Sequence, residues 1–204
     1  MQPTPGTEGY GAAIRAFVEA SLSLDFHEVC RDIVEFLPPA PARILDVGSG
    51  VGQNAAALAA MGHSVVAVEP MPAFLAVARA EHAASGIRWI EDSLPRLQRL
   101  DIAGPRFDFI LVEAVWHHLD YAERAAALAR LGSLLTPGGR CALSLRNGPA
   151  GVGTHVFPTC AKQTLQQAEA LQLRCRFQRD RLRSILPQKT NVTWSRIVLE
   201  KLNP

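Results

Sequence analysis

No stretch of these 204 residues is long and apolar enough to cross a bilayer, which takes about 20 consecutive residues. A secretory leader is missing too: "MQPTPGTEGYG" has neither a basic start nor an apolar run, so residues 1–11 read as a short disordered leader on a cytoplasmic protein. Cysteine is scarce. Cys30, Cys141, Cys160 and Cys175 form no C-x-x-C pair, which argues against a zinc or redox motif, and the expectation is reduced, mostly buried thiols with no metal bound. No repeat, low-complexity segment or Pro/Gly-rich linker divides the chain, and its length suits one core, so residues 12–204 read as a single domain. Net charge is only +2, yet residues 174–204 carry 8 basic against 2 acidic side chains. Such a tail raises the question of an anionic partner. The alternation of Leu173, Cys175 and Phe177 with Arg174, Arg176 and Gln178 answers it with a half-buried strand whose other face is solvated.

What the chain does have is a regular alternation of elements. Apolar positions from Ile14 to Phe36 recur at helical spacing until "PPAP", which predicts one or two amphipathic helices, a cap over residues 12–39. Strands follow at "RILDV", "SVVAVE", "IRWIE", "FDFILVE" and "RCALSL", separated by helical patterns at 53–61, 72–84 and 121–135 and a shorter one near 94–100. Apolar strands joined by helices make a parallel sheet covered on both faces. A helix over 162–172 precedes "LRCRFQR" and "VTWSRIVLEKL", and the link "DRLRSILPQKT" is too short for a crossover helix, so these two strands pair antiparallel.

The chemistry gathers at "ILDVGSGVGQN", residues 44–54. Gly48, Gly50 and Gly52 permit a tight turn after the first strand, with the next helix aiming its free N–H groups at a ligand. A dinucleotide loop, G-x-G-x-x-G, would want glycine at position 53, which holds Gln53. Asp46 would also repel a pyrophosphate and attract an ammonium, so an aminoacyl nucleoside suits the loop better than NAD. Glu69, at the end of the second strand, is placed to accept both hydroxyls of a ribose. Asp92 either accepts from an adenine amino group or, with Ser93, caps the short helix that Pro95 begins.

Taken together, "ILDVGSGVGQNAAALAAMGHSVVAVEP", "IEDSL", "FDFILVEAVWHHL" and "LLTPGGRCALSL" resemble the class I S-adenosylmethionine-dependent methyltransferases over residues 40–202. The resemblance implies a doubly wound, Rossmann-like α/β fold: a seven-stranded, mostly parallel sheet in the order 3-2-1-4-5-7-6, last strand antiparallel, with helices on both faces. It implies S-adenosyl-L-methionine as cofactor and S-adenosyl-L-homocysteine as product. Asp46 and the loop Gly48, Ser49, Gly50 and Gly52 would hold the methionine part, with Gln53 and Asn54 behind it. Glu69, with Pro70 and Met71, would take the ribose, and Asp92 and Ser93 the adenine edge. Glu113, Ala114, Val115 and His118 would line the cofactor from strand four.

Methyl transfer asks for in-line approach, exclusion of water and a free lone pair on the acceptor. Asp120 and Glu123 mark a helix start, which leaves Trp116, His117 and His118 above the sheet; one histidine is a candidate base or acceptor anchor, and Trp116 reads as packing. The long loop "SLRNGPAGVGTHVFP" offers Arg146, Asn147 and His155 to an acidic group on the acceptor, with Tyr10 and Phe17 closing over it. The base-amino stretch Asn/Asp-Pro-Pro-aromatic, a Pro-Cys nucleophile and clustered metal-binding carboxylates are all missing after strands four and five. A small acceptor methylated at O, N or S remains, with nucleic acid and membrane unexpected as partners and the protein a monomer or homodimer. The competing readings are an RNA methyltransferase using the basic tail, an NAD-dependent oxidoreductase, and a partner subunit that binds the cofactor without turnover.

Overall fold

The computed structural model describes residues 4–100, 104, 106–186 and 188–203. Its seven strands form one sheet: β1 (Arg43–Val47), β2 (Ser64–Val68), β3 (Arg88–Ile90), β4 (Phe107–Val112), β5 (Leu135–Asn147), β6 (Leu173–Arg183) and β7 (Thr193–Lys201), in the order β3-β2-β1-β4-β5-β7-β6. The first five pair in parallel, and β7 lies antiparallel between β5 and β6. This is the doubly wound sheet, in the strand order, that the resemblance implies.

Alternate residues of each central strand feed two cores, which is why these strands read as unbroken apolar runs. Leu45, Val47, Ile110 and Val112 pack beneath α5 (Tyr121–Leu134) and α6 (Ala161–Glu169). Ile44, Val65, Phe109 and Leu111 pack on the other face under α2 (Phe26–Val29) and α3 (Gln53–Ala60). Among the described residues, no helix is long and apolar enough to cross a membrane.

Several local expectations change. The amphipathic stretch at 12–37 breaks into a 3-10 turn (Tyr10–Ala13), α1 (Ile14–Leu22), the single turn α2 and a second 3-10 turn (Val34–Phe36). Asp25 forces the interruption by taking an extended backbone and accepting the Glu28 N–H, which starts a new helix. Residues 4–11 are no loose leader: the Glu8 carbonyl accepts from the Thr154 N–H, strapping the segment to the loop after β5, while residues 1–3 lie outside the described residues. The helix anticipated near 94–100 is a series of turns, because Leu97 adopts φ 46°, which a right-handed helix cannot hold.

β6 runs on through Arg183, and two register shifts, one with Arg181 at φ 58°, take up the extra residues. Two of the four thiols, Cys160 and Cys175, are exposed rather than buried. Charge covers this sheet edge, as edges require: Arg176 reaches Glu200 and Arg179 reaches Asp32.

Candidate active site

The carboxyl ends of β1, β2 and β4 open on a cavity of about 430 Å³, roofed by Tyr10 and by Phe17 and Ala20 of α1. Its size falls within the range of small-molecule sites. At the glycine loop, Gly48 and Ser49 donate to the Val68 carbonyl at 2.8 and 3.0 Å, which binds the turn to the end of β2. Gly48 (φ 71°) lies so close to Val115, and Gly52 (φ 87°) to the Trp89 ring, that a Cβ would come within 2.2 and 2.4 Å of them. Neither position tolerates a side chain. The side chains of Ser49, Gln53 and Asn54 line the cavity, and Ser49 Oγ, Gln53 Oε1 and Asn54 Oδ1 are buried with no hydrogen-bond partner among the described residues. Buried polar atoms are nearly always satisfied, so this set marks a place for a polar ligand.

Glu69 stands on the cavity wall beside Pro70 and Met71. Its two oxygens accept from the Gly50 and Met71 N–H groups at 3.0 and 2.9 Å, which fixes the carboxylate against the loop. Burial pushes its pKa up to about 7, against the pull of those two donors. Asp46 lies elsewhere than its place in the sequence suggested. It is 1% exposed and absent from the cavity wall, its Oδ2 has no partner, and burial with the nearby Glu113 and Glu69 charges drives its pKa to about 7. Gly52 likewise sits behind the wall.

Asp92 and Ser93 both line the cavity, but Asp92 accepts from the backbone N–H groups of Ser93 and Arg99 at 2.8 and 2.6 Å. It ties down the turns that replace the anticipated helix. At the end of β4, Glu113 is buried in an ion pair with Arg196 of β7, whose second nitrogen donates to the Val29 carbonyl at 2.9 Å. Ala114 takes φ 58° and donates to Ser144 Oγ at 2.6 Å; with Val115 it lines the cavity.

The 3-10 turn Trp116–His118 follows. Trp116 faces the core and donates to Thr164 Oγ1 at 3.2 Å. The two histidines reach the cavity. His118 Nδ1 lies 2.7 Å from the His155 carbonyl, and a carbonyl can only accept, so Nδ1 carries the hydrogen. Its Nε2 is therefore the acceptor for the Tyr10 hydroxyl at 3.1 Å. Burial holds His118 below its usual pKa and, with the Glu69 charge adding, pushes Tyr10 up to about 12. The His117 ring lies tilted, 4.1 Å from that of His118, and burial, reinforced by His118, takes its pKa down to about 2.

Arg146 is 7% exposed at the end of β5 and lines the cavity, donating to the carbonyls of Gly148 and Pro149. The two neighbours proposed beside it do not join it. Asn147 caps the Thr159 N–H, and His155 turns away to Glu8 at 3.6 Å. Contributors that escaped the sequence reading include Phe74, stacked at 4.6 Å on Phe17, and Trp194 and Lys189 from the far end of the sheet. Trp194 carries one recoverable signal, the strand alternation of β7; Lys189, in a turn, carries none.

Residues 44–139 match the family described as "Methyltransferase domain". An uncharacterized methyltransferase of Mycobacterium bovis is 36% identical over 111 residues, 52% of this chain and 54% of that protein. A ubiquinone biosynthesis O-methyltransferase of Azorhizobium caulinodans is 34% identical over 105 residues, 52% of this chain and 40% of that protein. The chain thus spans about half the length of the curated relatives it matches. Among solved structures, a TehB-like SAM-dependent methyltransferase from Corynebacterium glutamicum superposes with TM-score 0.66 at 24% identity, covering 96% of this chain and 98% of the other. The 1,6-didemethyltoxoflavin-N1-methyltransferase of Burkholderia thailandensis, crystallised with S-adenosylhomocysteine, gives 0.63 at 21%, covering 100% and 93%.

Proposed function

We propose that the protein is a class I S-adenosylmethionine-dependent methyltransferase that methylates a small organic acceptor at O, N or S and releases S-adenosylhomocysteine, with residues 44–139, which match the methyltransferase-domain family, at its centre. The observation that carries this reading is one cavity running from the Glu69 carboxylate and the glycine loop to the Tyr10–His118 pair. Cofactor and acceptor chemistry share one space, roofed by Tyr10 and Phe17.

The residues at the loop fit the cofactor. Glu69 keeps lone pairs for a ribose diol after accepting its two backbone N–H groups, and the unpartnered atoms of Ser49, Gln53 and Asn54 suit an amino-acid end. Met71, Asp92, Ser93 and Leu94 wall the space where an adenine would lie. Bound S-adenosylmethionine supplies a methyl group activated on a sulfonium.

The protein's own work is placement and proton handling. The cap excludes water through Tyr10, Phe17 and Phe74. At the acceptor, the Tyr10 oxygen takes the proton displaced from the nucleophile while its own hydrogen passes to His118 Nε2. The resulting imidazolium is held by the His155 carbonyl on Nδ1. His118 and Tyr10 are thus the proton acceptors, and His117 packs beside them. A cytoplasmic place and a monomeric or dimeric state complete the reading.

Incubating the protein with methyl-labelled S-adenosylmethionine and a fractionated cell extract tests it. Label is expected in the low-mass fraction; label confined to RNA or protein contradicts the small-acceptor reading.

A further inference from the structure

The far end of the cavity is built on the sheet itself. Arg146 of β5 stands directly opposite Trp194 of β7, and Trp194 opposite Leu182 of β6. Cross-strand partners share a face, so these three side chains form one row, and all three line the cavity. The next row down holds Ser144 and Arg196. Arg196 lies 5.4 Å from the centre of the Trp194 ring and is neutralised by Glu113. His117 meets the indole edge-on at 6.3 Å.

Charge at this end is one-sided. Arg146, Arg183 and Lys189 all line the cavity, and among the described residues none has a carboxylate within 4 Å. The carboxylates on the same wall are engaged or distant in role. Glu113 answers Arg196, Asp32 answers Arg179, Glu69 and Asp92 hold backbone N–H groups, and Glu28 is exposed on α2. Arg146 is nearly buried, and its bonds to two carbonyls leave its Nε without a partner among the described residues. Burial lowers the pKa of both Arg146 and Lys189, and the proximity of Arg146 adds to the shift at Lys189. A desolvated cation without a counter-ion is costly, and its field draws an anion into the pocket.

We propose that this end is the acceptor subsite and takes an aryl carboxylate, its ring against Trp194 and its carboxylate on Arg146, with Lys189 closing from the rim. The inference rests on the methyltransferase reading for the word acceptor, but the anion site stands on its own geometry. The ring lies along the apolar row of Trp194 and Leu182, and a carboxylate matches the guanidinium through charge-assisted hydrogen bonds. The acceptor's reacting atom then points back toward Tyr10 and His118.

The probes are benzoate and its neutral match benzamide, titrated by saturation-transfer NMR against wild type, Arg146→Gln and Lys189→Gln. Each protein is measured with and without saturating S-adenosylhomocysteine, and its fold is checked by circular dichroism. Benzoate is expected to bind wild type at least about tenfold more tightly than benzamide. Arg146→Gln should weaken benzoate about tenfold and leave benzamide unchanged, and Lys189→Gln should weaken benzoate about threefold. Equal affinity for the two probes, no benzoate binding, or benzoate affinity indifferent to Arg146→Gln overturns the proposal. Arg146-dependent benzoate binding in a protein that ignores S-adenosylhomocysteine would sustain the anion site while removing the methyltransferase reading.

Discussion

The hydroxyl of Tyr10 lies 3.1 Å from Nε2 of His118, a residue 108 positions further along the chain. The pair joins the cap to the top of the sheet, and its polarity is fixed by the His155 carbonyl on the other ring nitrogen. Gly153 makes the approach possible: a Cβ there would come within 2.6 Å of the Tyr10 ring and 2.8 Å of the His118 ring. Tyr10→Phe keeps the ring packed on Phe17 and Phe74 while removing the proton path. Methyl-transfer turnover should fall by about 10²-fold with S-adenosylhomocysteine affinity nearly unchanged, as steady-state kinetics and calorimetry would read.

Arg196 and Glu113 form a buried pair, with side chains 9% and 10% exposed. Arg196→Met strands Glu113 in a site already crowded by Asp46, and chemical denaturation should show a loss of about 3–5 kcal/mol. Adding Glu113→Gln should restore much of that stability, because the charge is removed along with its partner.

His117 is neutral in the folded protein, and its pKa of about 2 lies below the ordinary 6.5. A depressed folded value means that its contribution is fully present above pH 6.5 and is lost as pH falls toward 2. Between pH 7 and pH 5 wild type should lose roughly 2 kcal/mol more stability than His117→Asn. Parallel denaturation curves at the two pH values check this.

Glu69 carries a pKa raised to about 7, and ribose hydroxyls donate to its ionised form. S-adenosylhomocysteine should therefore bind more tightly as pH rises through 7, by about tenfold from pH 6 to pH 8. Glu69→Gln should bind more weakly and without that slope.

Much of this was legible because it depends on local pattern. Apolar strands alternating with helices gave a parallel sheet covered on both faces, the family resemblance supplied its strand order, and the glycine spacing with Glu69 gave the loop end of the cavity. What sequence could not supply were facts of three-dimensional approach. Asp46 looks like a ligand-facing residue beside its glycines, yet the last residues of β1 point alternately to either side of the sheet, and Asp46 falls on the side covered by α3. The helix at 94–100 failed because Leu97 departs from right-handed geometry, which no propensity reports. His155 follows Arg146 in a promising loop, but the strap from Glu8 draws it away. Trp194 and Lys189 come from remote segments, and only the closed fold brings them to one cavity.

One titration bears most directly on the function: calorimetry of the purified protein with S-adenosylhomocysteine and, separately, with NAD. Saturable one-to-one binding of S-adenosylhomocysteine and no heat from NAD is the predicted result. Binding of NAD, or of neither ligand, would contradict the assignment of the glycine loop and the methyl transfer built on it.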